Sequence, residues 1–173
     1  MSRINHWKIK NASGKGQATL ELALALPIFM ALLLGVFELA RMFFYNVSVA
    51  NASREAARYA ASSGCPSSTA CAASDTHYYQ DCNGIKNRAI SRAPGIGLTA
   101  ADITIGYDHG PNDSGAITPI SDPCSATNPI LGTGDRVVIE VKKSFKLIVP
   151  IPGLRDFDIK SKTYRTFLGQ VTQ

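Results

Sequence analysis

Two groups of residues in this 173-residue chain have the type and spacing to do chemistry. The first is Gly16-Gln17 followed by Glu21, the one ionisable side chain between Ala18 and Phe37. A carboxylate inside an apolar helix costs about 2.5–3.5 kcal/mol at a bilayer centre and less near the interface, so it calls for a cation. A cut between Gly16 and Gln17 supplies one. The new α-ammonium of Gln17 stands one helical turn from Glu21, and between staggered helices it reaches the Glu21 of a neighbour. Without such a partner the carboxylate must reach headgroup water. The second group is Cys65, Cys71, Cys82 and Cys124. In an oxidising compartment an even number of thiols suggests two disulfides, and sequence leaves three connectivities open. Zinc is the rival use, but Cys65-x5-Cys71-x10-Cys82 with His77 nearby lacks a C-x2-C pair.

A long helix must position the first group. Sixteen uncharged residues run from Leu22 to Phe37. With Ala18–Glu21 they make a segment that spans roughly 30 Å at about 1.5 Å per residue, the hydrocarbon thickness of a bilayer. A core helix of a soluble protein carries a polar stripe, and this segment has none. Arg3, Lys8, Lys10 and Lys15 precede it with no acid beside them. The positive-inside rule therefore places the N-terminus in the cytoplasm and everything beyond about residue 40 across the membrane. A cleaved secretory signal would show a small-x-small site after the apolar run. Here Glu38-Leu39-Ala40-Arg41 continues the helix instead, and no Gly or Pro interrupts Glu38–Ala61.

The pattern predicts one helix over 17–62. Glu38–Arg41 and Glu55–Arg58 are opposite charges three residues apart. Leu39, Met42, Phe43, Val47, Ala50, Ala57 and Ala61 suggest one apolar face. Gly64 and Pro66 supply the stop. Pro27 removes a backbone donor inside the span and predicts a bend.

Residues 16–58 resemble the TadE-like pseudopilins of tight-adherence (Tad, Flp-type) pilus systems. The resemblance rests on Gly16, Gln17, Ala18, Glu21, Ala23, Leu24, Pro27, Gly35, Glu38 and Arg41, and on Asn51-Ala-Ser-Arg-Glu-Ala-Ala-Arg58, which includes Arg54 and Glu55. A glycine after a basic stretch, with a glutamate five residues on, is the pattern that prepilin peptidases process. Leu22 departs from the aromatic residue that many relatives carry after the glutamate. The resemblance implies cleavage after Gly16 and a place in the bacterial inner membrane. It also implies partners among other pilins or pseudopilins and the assembly platform. Its members are minor subunits, longer than the pilins of the bulk fibre.

Beyond residue 62 the composition changes, and most of the glycine and proline lies there. Gly84–Ala93 suggests a short helix with Ile85, Ala89, Ile90 and Ala93 on one side. Ile103, Ile105 and Tyr107 alternate as a strand, whereas 108–134 reads as loop. Val137, Ile139, Val141, Phe145, Leu147 and Val149 give the strongest strand pattern, with a bulge or bend expected where Lys143 breaks the apolar face. Pro150–Gly153 turns the chain into a final strand over 157–167. The expected fold is α+β: a basic leader (1–16), a transmembrane and extended amphipathic helix (17–62), and a disulfide-bearing antiparallel domain (63–173).

Charge and motifs exclude other classes. The chain carries 18 basic and 13 acidic residues, a net of +5. Setting aside the four bases of the first sixteen residues leaves 14 against 13, so the surplus sits in a short tail and nucleic acid is not an expected partner. There is no G-x-S-x-G, P-loop or H-E-x-x-H, and no cofactor or enzymatic activity is expected. His77 and His109 read as solvated surface residues. Asp108–Gly115 is oxygen-rich but fails EF-hand spacing. The sequons at Asn46 and Asn51 fall on a helix and read as incidental. Two readings follow, a minor pseudopilin taking part in pilus assembly or initiation and a signal-anchored periplasmic binding module that never enters a filament.

Overall fold

The computed structural model describes residues 13–66, 76–112, 114–120, 131–148 and 155–167. Residues 1–12 of the basic leader, Cys71, Cys124 and the Pro150–Gly153 turn lie outside them, while residues 13–16 of the expected leader already belong to the first helix. The chain forms two compact units, Met1–Ala40 and Arg41–Gln173. Helix α1 (Ser13–Ala60) begins in the first and ends in the second, with Pro27 inside it. The first unit is described by α1 alone.

The second unit is built on a sheet. Helix α2 (Cys82–Arg92) and a 3-10 turn, η1 (Ala100–Asp102), precede strands β1 (Ile103–Pro111), β2 (Ile117–Pro119), β3 (Arg136–Phe145) and β4 (Phe157–Thr166). All strand pairs are antiparallel, in the order β2-β1-β3-β4. Alternation along β3 puts Val137, Ile139, Val141 and Phe145 on one side, each nearly or fully buried. Ile103 and Tyr107 of β1 and Ile159 of β4 share that core with α2's Ile85 and Ala89. α1 contributes mainly small residues. Ala52, Ala56, Ala57 and Ala60 are fully buried beside Val49, and small side chains let a helix lie close against its neighbours.

Several expectations are corrected here. The core face of α1 is Val49, Ala52, Ser53, Ala56, Ala57 and Ala60, with Met42 and Tyr45 partly buried, whereas Leu39, Phe43 and Val47 are exposed. Ala57 of the expected face is in the core, and Met42 and Ala61 pack against it, so periodicity caught part of the stripe and added exposed apolar residues from another side. The 108–134 stretch is not all loop. β1 continues to Pro111, and β2 pairs back on it through an irregular register between Asp108 and Pro111. Lys143 causes no bulge, since β3 and β4 pair without a break from Arg136↔Thr166 to Phe145↔Phe157. Its ammonium instead meets the Asp102 carboxylate at 2.9 Å and donates to the Gly97 carbonyl at 2.7 Å. β3 ends at Phe145, short of Leu147. Helix α1 starts and ends a few residues earlier than expected, and Gly64 takes the positive φ of +100° just after it.

The end of α1 is tied to the start of α2 by a polar junction. Tyr59 Oη donates to Asp81 Oδ2 at 2.7 Å, while Asp81 Oδ1 caps α2 by accepting from the Gly84 amide at 2.9 Å. Burial, reinforced by the Asp81 carboxylate, pushes the Tyr59 phenol up to about 12. A Cβ at Gly84 would fall 2.0 Å from Asp81 Oδ2 and 2.6 Å from Tyr59 Oη. Gly84→Ala should therefore break both bonds and lower the stability of the detergent-solubilised chain by about 2 kcal/mol, read from denaturant or thermal midpoints. An unchanged midpoint would show that the junction carries no stability.

Two carboxylates of this unit are held below their ordinary range. Asp108 is buried, which by itself disfavours its charged form. The bond from Arg136 Nε at 2.6 Å and the Gly110 amide at 2.8 Å outweigh that and hold its carboxyl below the usual range. Asp102 is depressed likewise, burial being opposed by Lys143 and by Thr99's hydroxyl and amide. The folded chain thus binds these protons only at lower pH than the unfolded chain does. Their contribution is complete above the ordinary carboxylate pKa of about 3.9 and is lost as pH falls through the depressed values. Asp108→Asn should cost about 2–3 kcal/mol at neutral pH and flatten the acid-side decline, measured by unfolding between pH 2 and 6.

Candidate functional site

The first candidate site lies on the opening turns of α1. Four residues of separation bring Gln17 and Glu21 to one side, and Gln17 Nε2 donates to Glu21 Oε1 at 3.4 Å. Both are exposed. Gly16 is exposed too, and a Cβ there would meet nothing within 4 Å. Neither space nor positive φ calls for glycine at this position, although glycine within a helix costs about 1 kcal/mol relative to alanine. Gly35 is likewise in open space.

From Leu22 to Phe37 the helix presents only apolar surface. An 18-residue window with mean hydropathy 2.4 lies in Gly16–Ala60, and none of that window is buried within the molecule. Leu22, Leu24, Ile28, Leu32 and Val36 are each more than 60% exposed. A helix of this length and composition is able to cross a membrane.

In the second unit α1 turns polar on its outer side and seats itself through specific contacts. The Arg41 guanidinium lies 4.5 Å from the centre of the Phe145 ring and donates to the Lys146 carbonyl. Tyr45 meets Phe145 edge-on at 5.1 Å. Buried Ser53 donates to the Ala50 carbonyl at 3.0 Å and accepts from the Ser161 and Thr163 hydroxyls of β4, each at 2.9 Å. Glu55 and Arg58 pair at 3.0 Å, as their spacing predicts. Arg54 is exposed, and Glu38 is buried.

The remaining candidates are placed as follows. Cys65 is buried and Cys82 opens α2, and neither is a free cysteine. Cys65 Sγ lies 3.9 Å from His77 Nδ1, and the His77 ring stacks on Tyr79 at 5.3 Å. Among the described residues no three His, Cys, Asp or Glu side chains converge as metal ligands. The oxygen-rich segment is spent on its own turn. Asn112 Oδ1 accepts from the Ser114 amide and hydroxyl and from the Ala116 amide. His109 is a surface residue, as expected, and lies 2.7 Å from Asp135.

A glycine in open space, a carboxylate just over one turn on, an unburied apolar span and the Asn51–Arg58 helix end occur in this order on one continuous element. Residues 16–58 match the TadE-like protein family. The match covers about a quarter of the chain and falls entirely within α1, so α2 and the sheet lie beyond the TadE-like segment. No curated protein and no solved structure matches the chain.

Two groups in the second unit escaped the sequence reading. The Tyr59–Asp81–Gly84 junction shows in sequence only as an Asp three residues before a glycine. Arg92 and Arg165 join Arg54 and Arg58 around one cleft, and no linear spacing signals that convergence.

Proposed function

We propose that this chain is a minor pseudopilin of a Tad-type pilus, cleaved after Gly16 by a prepilin peptidase and taking part in pilus assembly or initiation without catalysis of its own. The observation that carries the reading is Glu21, set at the head of an unburied apolar helix with Gln17 one turn away, inside the TadE-like match. Cleavage converts Gln17 into an ammonium at the depth of that carboxylate. Apolar surroundings strengthen the attraction between unlike charges, so a helix with the pair satisfied by a neighbour is favoured over a lone one, and the stagger between subunits is fixed. In this reading the leader stays in the cytoplasm and the sheet domain stands in the periplasm, where four cysteines close two disulfides.

Two substitutions in the native host test the mechanism separately. Gly16→Phe should yield a chain that retains residues 1–16 and leaves cells without pili, read by mass measurement and electron microscopy. Glu21→Ala should be processed normally yet fail to enter the pilus fraction. Normal piliation by the first variant would contradict cleavage as the entry step, and normal incorporation of the second would remove the charge pair. Alkylating the native chain before and after reduction should reveal four thiols only after reduction. Four thiols before reduction would place the domain in a reducing compartment and contradict the topology.

A further inference from the structure

Four arginines surround a cleft of about 440 Å³ in the second unit. Arg54 and Arg58 come from the last turns of α1, Arg92 from the end of α2 and Arg165 from the end of β4. Three elements far apart in sequence thus deliver guanidinium groups to one concavity. The single carboxylate lining it, Glu55, is already paired with Arg58 at 3.0 Å. Among the described residues Arg54, Arg92 and Arg165 have no ion-pair partner. Like charges that gather around one hollow repel each other, and concave walls concentrate the field. Three cations elsewhere in the domain are answered by acids. Arg136, Lys142 and Lys143 each face an aspartate.

We propose that this cleft is a docking site for a carboxylate-bearing segment of another protein. Guanidinium presents a planar fork that takes a carboxylate through two parallel bonds. The Glu55–Arg58 pair shows one carboxylate already seated on this set of arginines. Asn51 adds a neutral polar group to the rim. Three guanidiniums are then left for acidic side chains of the incoming segment. Choosing a protein as the source of the carboxylates rests on the reading of this chain as an assembly subunit. The binding itself does not, because it needs neither cleavage at Gly16 nor a pilus.

The test uses the purified full chain in detergent and a fluorescein-labelled hexaglutamate peptide, with hexaglutamine as the neutral control. Binding to hexaglutamate and not to hexaglutamine is expected, weakening as salt rises from 50 to 300 mM. Arg54→Gln combined with Arg165→Gln should weaken binding at least tenfold. Lys160→Gln combined with Lys162→Gln, the same charge change elsewhere on β4, should leave it within twofold. Equal loss in both pairs would reduce the effect to net charge and overturn the site, as would equal binding of the two peptides. Displacement of hexaglutamate by inorganic phosphate at lower concentration than by free glutamate would overturn the carboxylate assignment. Loss of binding here together with normal processing and piliation would refute the cleft alone.

Discussion

The withdrawal of the first half of α1 from water is the constraint on which the rest depends. Side chains of the Leu and Phe class gain about 1.5–3 kcal/mol each on leaving water. In this molecule Leu20 through Phe37 supplies a dozen of them with no protein cover. No rearrangement of a single helix hides an apolar surface that runs right round it. Lipid, or the equivalent helices of neighbouring subunits, must supply the cover. Glu21 is the exception, and in the proposed pairing with a neighbour's ammonium it gives this greasy surface a register. Apolar packing tolerates sliding, whereas a buried unlike-charge pair forms at one stagger only.

The second unit solves a different problem with the same helix. There α1 uses alanines and a buried serine to lie against other elements. The hydroxyl seam from Ser53 to Ser161 and Thr163 leaves no polar atom of the three without a partner in the core. Arg41 and the Tyr45–Phe145 pair mark the start of this packing, and Tyr59 with Asp81 marks its end. Between those points the outer side of α1 is charged and carries the arginines of the cleft. One helix therefore bears an apolar stretch and a cationic stretch in succession, each answerable to a different kind of neighbour.

What sequence revealed, and what it withheld, follows from the range of the forces involved. The span, the glycine–glutamate spacing and the Glu55–Arg58 pair are local, and each was legible from residues within a few turns of one another. The strands β1, β3 and β4 announce themselves through alternation. The amphipathic face beyond Arg41 was misread in part because Phe43 and Val47 are apolar yet exposed, so hydrophobicity alone did not mark the buried side. Lys143 looked like a break in a strand because Asp102, its partner, comes from a turn some forty residues earlier. β2 was hidden by a composition of Gly, Pro, Ser and Thr that usually means loop. The cleft was invisible for the same reason as the Lys143 pair: tertiary structure, not spacing, brings Arg92 and Arg165 beside α1.

The account stands or falls on the identity of the mature N-terminus. Intact mass and N-terminal fragmentation of the protein isolated from its native membranes give it directly. A chain beginning at Gln17 is the predicted result, since only then does an ammonium stand opposite Glu21. A chain beginning at Met1 or Ser2 would contradict the account and leave a tethered domain whose carboxylate has no such partner.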